Sequence, residues 1–148
     1  DDAALLADID SVVATCCAIK ARIVEQDEFD TGLRMLLNFG HTLGHAVEQH
    51  FGYSCFTHGE GVAIGMYQLT KRTEELGMTA KGSAERIKSV LEKYNLPLTA
   101  GVEKAQLLDT MARDKKKNGN SITLIILQQI GEGVLQKVDW QEVPKYLG

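Results

Sequence analysis

Apolar residues recur with helical spacing through most of the first 113 residues. Between residues 3 and 26 they fall every three or four positions, which predicts a long first helix. Gly77 is placed to end a later helix, Ser83 to cap the next one, and Pro97 to stop it. The spacing predicts further helices over residues 32–49, 58–76, 83–96 and 102–113.

The pattern changes after residue 113. A polar segment, residues 114–120, predicts a loop, and the β-branched residues Ser121–Gln128 predict a strand. Glycines in the segment Ile130–Gly133 allow a turn into a second strand, Val134–Val138, and a short terminal helix is expected after Asp139. The predicted fold class is therefore mainly α, multihelical, with one small antiparallel β-hairpin.

The predicted second helix carries an unusual polar face. At about 100° per residue, five polar side chains share one side of a continuous helix, while Leu36, Leu43 and Val47 lie on the other. Arginine, asparagine and histidine at these positions suit an anion or metal site better than a solvated face. Gly40 and Gly44 flank this polar stripe and allow another backbone or a ligand to approach. The stripe consists of Arg34, Asn38, His41, His45 and Glu48.

The histidines in this segment allow more than one interpretation. His41 and His45 have the i,i+4 spacing of helical zinc sites, but Thr42 stands where the zinc-protease motif needs Glu. If the next helix is antiparallel, His58 returns beside His41, which gives a two-histidine site with no evident third ligand. The alternative is a set of satisfied polar groups between two helices. Glu60 either orients a ligand histidine or favours the helix start, and no role is expected for His50.

Composition narrows the class of protein. The chain has 148 residues, is 44% hydrophobic and carries a net charge of −4, as expected for one globular domain without a basic field for nucleic acid. No apolar run reaches the roughly 18 residues of a membrane span. Three cysteines without a CxxC spacing indicate reduced thiols in a cytoplasmic protein. The start at Asp1, without an initiator Met, suggests a fragment.

Two ordered motifs carry a resemblance to a known family. The stretch LLNFGHTLGHAVE, Leu36–Glu48, followed by HGEGVAIGM, His58–Met66, resembles the signature of the 3-dehydroquinate synthases. The segment Lys20–Arg34 and the Arg113–Gly119 run resemble flanking parts of the same family in the same order. The resemblance covers nearly the whole chain, with Asp30 standing where the family usually has Glu.

This resemblance implies the C-terminal domain of a two-domain enzyme. In the family, an N-terminal α/β domain, absent from this chain, binds NAD and supplies the third ligand of a Zn²⁺ or Co²⁺ ion. The resemblance makes His41 and His58 the other metal ligands. It also assigns His45 to the substrate phosphate, Lys20 and Arg34 to the substrate carboxylate, and Asn38 to a nearby hydrogen bond. Either Lys115 or Lys116 is expected to reach the phosphate, with Lys116 favoured.

Several of these residues also have structural interpretations. Lys20 can extend along the edge of an apolar helix face, and Arg34 can pair with Asp30. The lysines at 115–117 can form a solvated loop. Cys55 lies in a loop without an implied general base and is expected to be inert.

The implied reaction is that of a carbon–oxygen lyase in the shikimate pathway, which leads to chorismate and the aromatic amino acids. A phosphorylated keto-sugar acid, 3-deoxy-D-arabino-heptulosonate 7-phosphate, becomes 3-dehydroquinate and phosphate. The family resemblance implies a homodimer joined mainly through the other domain. The cysteines indicate a cytoplasmic location, and the charge and the apolar run lengths predict no nucleic-acid or membrane partner. The alternatives are a related cyclase, such as a 2-deoxy-scyllo-inosose synthase, and a non-catalytic helical module for metal binding or interaction. The chain alone is expected to be inactive.

Overall fold

The computed structural model describes residues 2–30 and 32–148, except for the side chains of residue 2 and residues 113–118. The chain divides into two compact units, Asp1–Leu37 and Asn38–Gly148. It is mainly helical with one two-stranded antiparallel sheet, as the sequence predicts. The helices are α1 Asp2–Gln26, α2 His41–His50, α3 His58–Glu75, α4 Ser83–Lys93 and α5 Lys104–Asn118; short 3-10 helices cover Leu33–Asn38 and Val143–Tyr146; the strands are β1 Ser121–Gln129 and β2 Glu132–Asp139.

The first unit consists of α1 and the turn that follows it. The Asp27 carboxylate accepts hydrogen bonds from the backbone N–H groups of Gly32 and Arg34, at 2.8 and 3.0 Å. The Arg34 guanidinium donates to the Glu28 carbonyl oxygen at 2.8 Å. Among the described residues, no ion pair joins Arg34 to Asp30, so the structural pairing considered from the sequence is replaced by this backbone contact.

The second unit is organised around the antiparallel pair α2 and α3. Gly44 packs on the backbone of Gly61, and Gly40 packs on that of Gly65, so the two helices are in backbone contact. A Cβ atom at Gly65 would lie 2.0 Å from the Gly40 carbonyl oxygen, a distance no side chain can occupy. Gly40 and Gly44, for which the sequence predicted a close approach by a backbone or a ligand, therefore allow α2 and α3 to come into backbone contact.

The β-hairpin closes the core of the second unit. Residues Ile130 and Gly131 form its turn, with Gly131 at φ 92°, and β1 pairs with β2 from Ser121 opposite Asp139. The buried Thr79 hydroxyl donates to the Leu127 carbonyl oxygen at 2.6 Å and lies 2.6 Å from the Thr73 hydroxyl of α3, which joins the hairpin to that helix. The core contains Leu43, Ala46, Leu69, Met111, Leu124, Ile126, Val138, Val143 and Leu147.

The prediction of one helix over residues 32–49 is wrong. The chain forms a 3-10 helix to Asn38, turns at Gly40 with φ 82°, and only then starts α2. The interruption follows from the close approach to α3, because a Cβ atom at Gly40 would lie 2.7 Å from the Val62 carbonyl oxygen. A helical wheel drawn through Gly40 therefore does not describe this segment.

Two other boundaries differ from the predicted ones. Helix α5 continues to Asn118, through most of the predicted polar loop, and ends at Gly119 with φ 81°. Lysine is a good helix former, so a run of lysines is compatible with a helix that continues through it. Gly82, rather than Ser83, is the N-cap residue of α4. None of the helices in the described residues combines the length and hydrophobicity that a membrane span requires.

Candidate metal and substrate site

Three histidine side chains meet where α2 faces the start of α3. The ring centroids of His41 and His58 are 5.0 Å apart, and His45 lies 5.6 Å from each of them. His41 and His45 share one face of α2 because they are four residues apart, and the short 51–57 connection returns His58 beside them. The predicted approach of His58 to His41 is confirmed.

The apolar side of α2 explains why its histidine side faces outward. Leu43 and Val47 are 6% and 0% exposed and pack in the interior, as the apolar side of the predicted stripe requires. His45 and His58 are exposed and His41 is half-buried. The cluster is therefore open to a ligand on one side and supported by the core on the other.

A buried carboxylate lies under the cluster. Glu48 is 6% exposed, and its Oε1 and Oε2 atoms lie 3.2 and 3.4 Å from Nδ1 of His58. Its position one turn beyond His45 keeps it on the histidine face of α2. The sequence placed Glu48 on the polar stripe, but nothing in the pattern singled out its contact with His58, which depends on the pairing of the two helices.

Of the two roles that the sequence allowed for Glu60, the structure shows the one at the helix start. Its carboxylate accepts hydrogen bonds from the Thr57 backbone N–H at 2.7 Å and from the Thr57 hydroxyl at 2.8 Å, which completes a capping box at the start of α3. These two hydrogen bonds, the backbone one foremost, lower the pKa of Glu60 below its ordinary value. Glu60 therefore stabilises the helix start.

The donor set fits a transition-metal ion. Imidazole nitrogens and carboxylate oxygens are the ligands that Zn²⁺ and Co²⁺ accept in proteins. One donor atom from each of His45, Glu48 and His58 lies within 4.8 Å of the others. His41 is not in that group of three: its ring centroid lies 5.0 Å from that of His58, and its Nδ1 lies 3.3 Å from the Phe39 carbonyl oxygen. His50 is outside the cluster and packs against Phe51, with ring centroids 5.0 Å apart.

The other predicted site residues belong to other segments of the chain. Asn38 is exposed at the end of the first 3-10 helix and is not on α2, which corrects the single continuous stripe. Lys20 is exposed on α1 and Arg34 is half-buried in the first unit. Their substrate contacts remain predictions. The side chains of Lys115 and Lys116 lie outside the described residues.

Comparison with known proteins assigns the family. The family model for the 3-dehydroquinate synthase C-terminal region matches residues 3–117. The chain belongs to this family. It is 47% identical over 148 residues to a 3-dehydroquinate synthase of Clostridium acetobutylicum, covering 99% of the chain and 42% of that relative. It is 39% identical over 144 residues to one of Enterococcus faecalis, covering 97% of the chain and 40% of that relative.

Solved structures share the fold. A 2-deoxy-scyllo-inosose synthase in complex with carbaglucose-6-phosphate, NAD⁺ and Co²⁺ matches with a TM-score of 0.76 at 19% identity, over 94% of this chain and 40% of that one. A 2-epi-5-epi-valiolone synthase from Streptomyces hygroscopicus with NAD⁺ and Zn²⁺ matches with a TM-score of 0.69 at 20% identity, over 84% and 35%. The chain therefore spans less than half the length of these two 3-dehydroquinate synthases and less than half the length of these two solved structures.

Proposed function

We propose that this chain is the C-terminal, metal- and substrate-binding part of a 3-dehydroquinate synthase. The longer protein would convert 3-deoxy-D-arabino-heptulosonate 7-phosphate to 3-dehydroquinate and phosphate. The observation that carries the proposal is the convergence of His41, His45 and His58 within 5.0–5.6 Å, in a chain of this family. Two helices that only pack against each other have no need of three neighbouring imidazoles.

His41 and His58 are the proposed metal ligands. Their rings are the nearest pair in the cluster, and each approaches from a different helix, so an ion between them would be held by two rigid elements. The third ligand is proposed to come from the part of the longer protein outside this chain. When bound, Zn²⁺ or Co²⁺ supplies Lewis-acid polarisation of a substrate hydroxyl. The hydride acceptor is proposed to be NAD, held by the same outside part.

The other polar residues are proposed to bind the two anionic ends of the substrate. His45 is exposed one turn from His41, where an N–H of its ring can donate to the substrate phosphate and support its departure. Arg34 and Lys20 would pair with the substrate carboxylate, Arg34 in a bidentate way, and Asn38 would donate a hydrogen bond nearby. Lys116, or Lys115, would contact the phosphate. Local cations bind such an anion whatever the net charge of the chain.

The ligand assignment is tested in a protein that carries this chain together with an NAD-binding α/β half of the same family. We expect His41→Ala to lower the zinc affinity at least 100-fold and to abolish phosphate release from the heptulosonate phosphate. His50→Ala is the matched control, because His50 is on the same helix and outside the cluster. Unchanged metal binding in the His41 variant would refute the assignment.

The substrate is tested in the same protein. We expect turnover of the carboxylated seven-carbon phosphate and none of glucose 6-phosphate, because Arg34 and Lys20 are assigned to a carboxylate that the hexose lacks. Turnover of the hexose phosphate alone would favour an aminocyclitol-type cyclase instead. Absence of turnover with either substrate would favour a non-catalytic module.

We also propose a cytoplasmic location and a homodimer. All three cysteines are exposed and free, including the adjacent Cys16 and Cys17, which suits a reducing compartment. The dimer contact is assigned to the part of the protein outside this chain. Sizing of the longer protein by light scattering tests the dimer.

A further inference from the structure

The buried carboxylate of Glu48 faces one nitrogen of one histidine. Both of its oxygens lie near Nδ1 of His58, at 3.2 and 3.4 Å, and among the described residues these are the carboxylate's hydrogen-bond contacts. The Glu48 side chain is 8% exposed, whereas that of His58 is 57% exposed. Because this carboxylate is buried, water competes little for its contact with Nδ1 of the ring.

The chemistry of the pair fixes the tautomer of the histidine. A carboxylate oxygen accepts hydrogen bonds, so the facing Nδ1 must carry the hydrogen, and the lone pair of the neutral ring is then on Nε2. We propose that Glu48 is a positioning residue that holds His58 in the Nδ1–H form and leaves Nε2 free to bind a metal ion. The inference rests on the proposed function, in which His58 is a metal ligand.

The packing of the two helices holds Glu48 in place. A Cβ atom at Gly61 would lie 3.2 Å from Cγ of Glu48, so the glycine of α3 leaves the space through which this side chain runs. On the same helix, Val47 is fully buried, which fixes the rotation of α2. Glu60, the other carboxylate close to His58 in sequence, is engaged by Thr57. Glu48 thus takes the orienting role.

Such a partner increases metal affinity in two ways. It selects the ring nitrogen that binds, and its negative charge makes that nitrogen a better electron donor. Removal of comparable carboxylate partners of metal-bound histidines costs about 10- to 100-fold in affinity. The same contact also restrains the rotation of an otherwise exposed ring.

The tautomer is measured on the unmodified chain without metal. With ¹⁵N-labelled histidine at a pH where the rings are neutral, long-range ¹H–¹⁵N correlation spectra distinguish a protonated from an unprotonated ring nitrogen. We expect His58 to have a protonated Nδ1 and an unprotonated Nε2. A predominant Nε2–H form of His58 overturns the inference. Because no metal is present, this result can be read even if His41 and His58 prove not to bind zinc.

Zinc titration of the protein that carries this chain together with an α/β half, which supplies the third ligand, and of its variants tests the consequence. We expect Glu48→Ala to weaken zinc binding about 10- to 100-fold and Glu48→Gln to weaken it less, since the amide oxygen still accepts from Nδ1. Glu60→Gln is the matched control and should bind zinc as the unmodified protein does. Circular dichroism identifies any variant that has lost its fold.

Two outcomes contradict the positioning role. In one, a folded Glu48→Ala variant binds zinc as tightly as the unmodified protein. In the other, the zinc-induced ¹⁵N shift of His58 appears at Nδ1 rather than Nε2, which would place the ion between His58 and Glu48 and make Glu48 itself a ligand.

Discussion

At the scale of the residue, single carboxylates connect neighbouring segments of the second unit. Glu74, near the end of α3, accepts hydrogen bonds from the backbone N–H groups of Gly82 and Ala84, at 2.8 and 2.9 Å. These groups belong to the start of α4, where helix N–H groups lack partners and negative charge is favourable. The hydrogen bonds from Ala84 and then Gly82 lower the pKa of Glu74 below its ordinary value of 4.5.

We therefore predict a pH-dependent stabilisation by Glu74. Because the carboxylate has a lower pKa in the folded state, its contribution is full above pH 4.5 and is lost as the pH falls through the folded-state value. Glu74→Gln should lower the free energy of unfolding by about 1 kcal/mol at pH 7. The difference in free energy of unfolding between the variant and the unmodified chain should become smaller below pH 4.5. Urea unfolding at pH 7 and pH 3.5 measures this.

The control for this experiment is Glu92→Gln, an exposed glutamate on α4. It should change the free energy of unfolding by less than about 0.5 kcal/mol at either pH. A loss in the Glu74 variant that is the same at pH 7 and pH 3.5 would mean that the ionised form of the carboxylate is not responsible for the stabilisation.

At the scale of the element, the α2–α3 pair positions the site. The ring spacing of 5.0 Å between His41 and His58 exists because the helix backbones touch at Gly44–Gly61 and Gly40–Gly65. At Gly44, an added Cβ would lie 2.9 Å from backbone atoms of Gly61 and Val62, which cannot rotate aside as a side chain can. The distance between the histidines is therefore set by glycines that have no chemistry of their own.

We predict that Gly44→Ala separates the two helices. It should lower the free energy of unfolding by about 1–3 kcal/mol, because overpacking of a tight contact forces backbone shifts, and it should weaken zinc binding. Gly59→Ala is the control: it lies in α3 with open space around it, so the better helix former should leave stability unchanged or raise it by up to about 1 kcal/mol. Denaturant unfolding measures both.

If Gly44→Ala and Gly59→Ala unfold at the same denaturant concentration, backbone contact between the helices is not what holds the pair together. Equal zinc affinity of the two variants would also mean that the glycine contacts do not set the distance between the histidines.

At the scale of the whole molecule, the second unit has an apolar core and a histidine cluster at the surface beside it. Helices α2, α3 and α5 and the hairpin share the apolar interior. His41 and His45 lie on the other side of α2, and His58 at the start of α3 lies beside them. The chain spans about two fifths of the length of its curated relatives. The proposed NAD site and third metal ligand belong to the remainder.

We predict that the 148-residue chain has no synthase activity by itself. With NAD, zinc and the heptulosonate phosphate, phosphate release should remain at the rate of a no-protein control. Addition of a matching α/β half should restore it. Turnover by the chain alone would disprove the proposed division of the active site between two parts.

Much of the fold was predictable because it depends on local patterns. The 3.6-residue spacing of apolar positions identified α1, α3 and α4, and the β-branched run from Ser121 identified the hairpin. The helix break at Gly40 was not predictable in this way, because a glycine inside a helical pattern is compatible with a continuous helix. What decides the break is the backbone of α3, which lies 25 residues further along the chain at Gly65.

The histidines of the candidate site were predictable from the sequence, but the roles of its two glutamates were not. The spacing of His41 and His45 put them on one face, and the short connection to His58 brought the third ring near. Glu60 and Glu48 could not be distinguished from the sequence, because both are acidic and close to the histidine motif. In the structure, Thr57 donates a hydrogen bond to Glu60, and His58 contacts Glu48.

The amino-acid sequence by itself determined the family, the helical content, the hairpin and the histidines that form the cluster, since these depend on residue type and spacing along one segment. Tertiary structure decided the break at Gly40, the burial of Glu48 and the direction of its carboxylate toward Nδ1 of His58. Those features arise where two helices come into backbone contact, and the steric limits of that contact are set by atoms far apart in the chain.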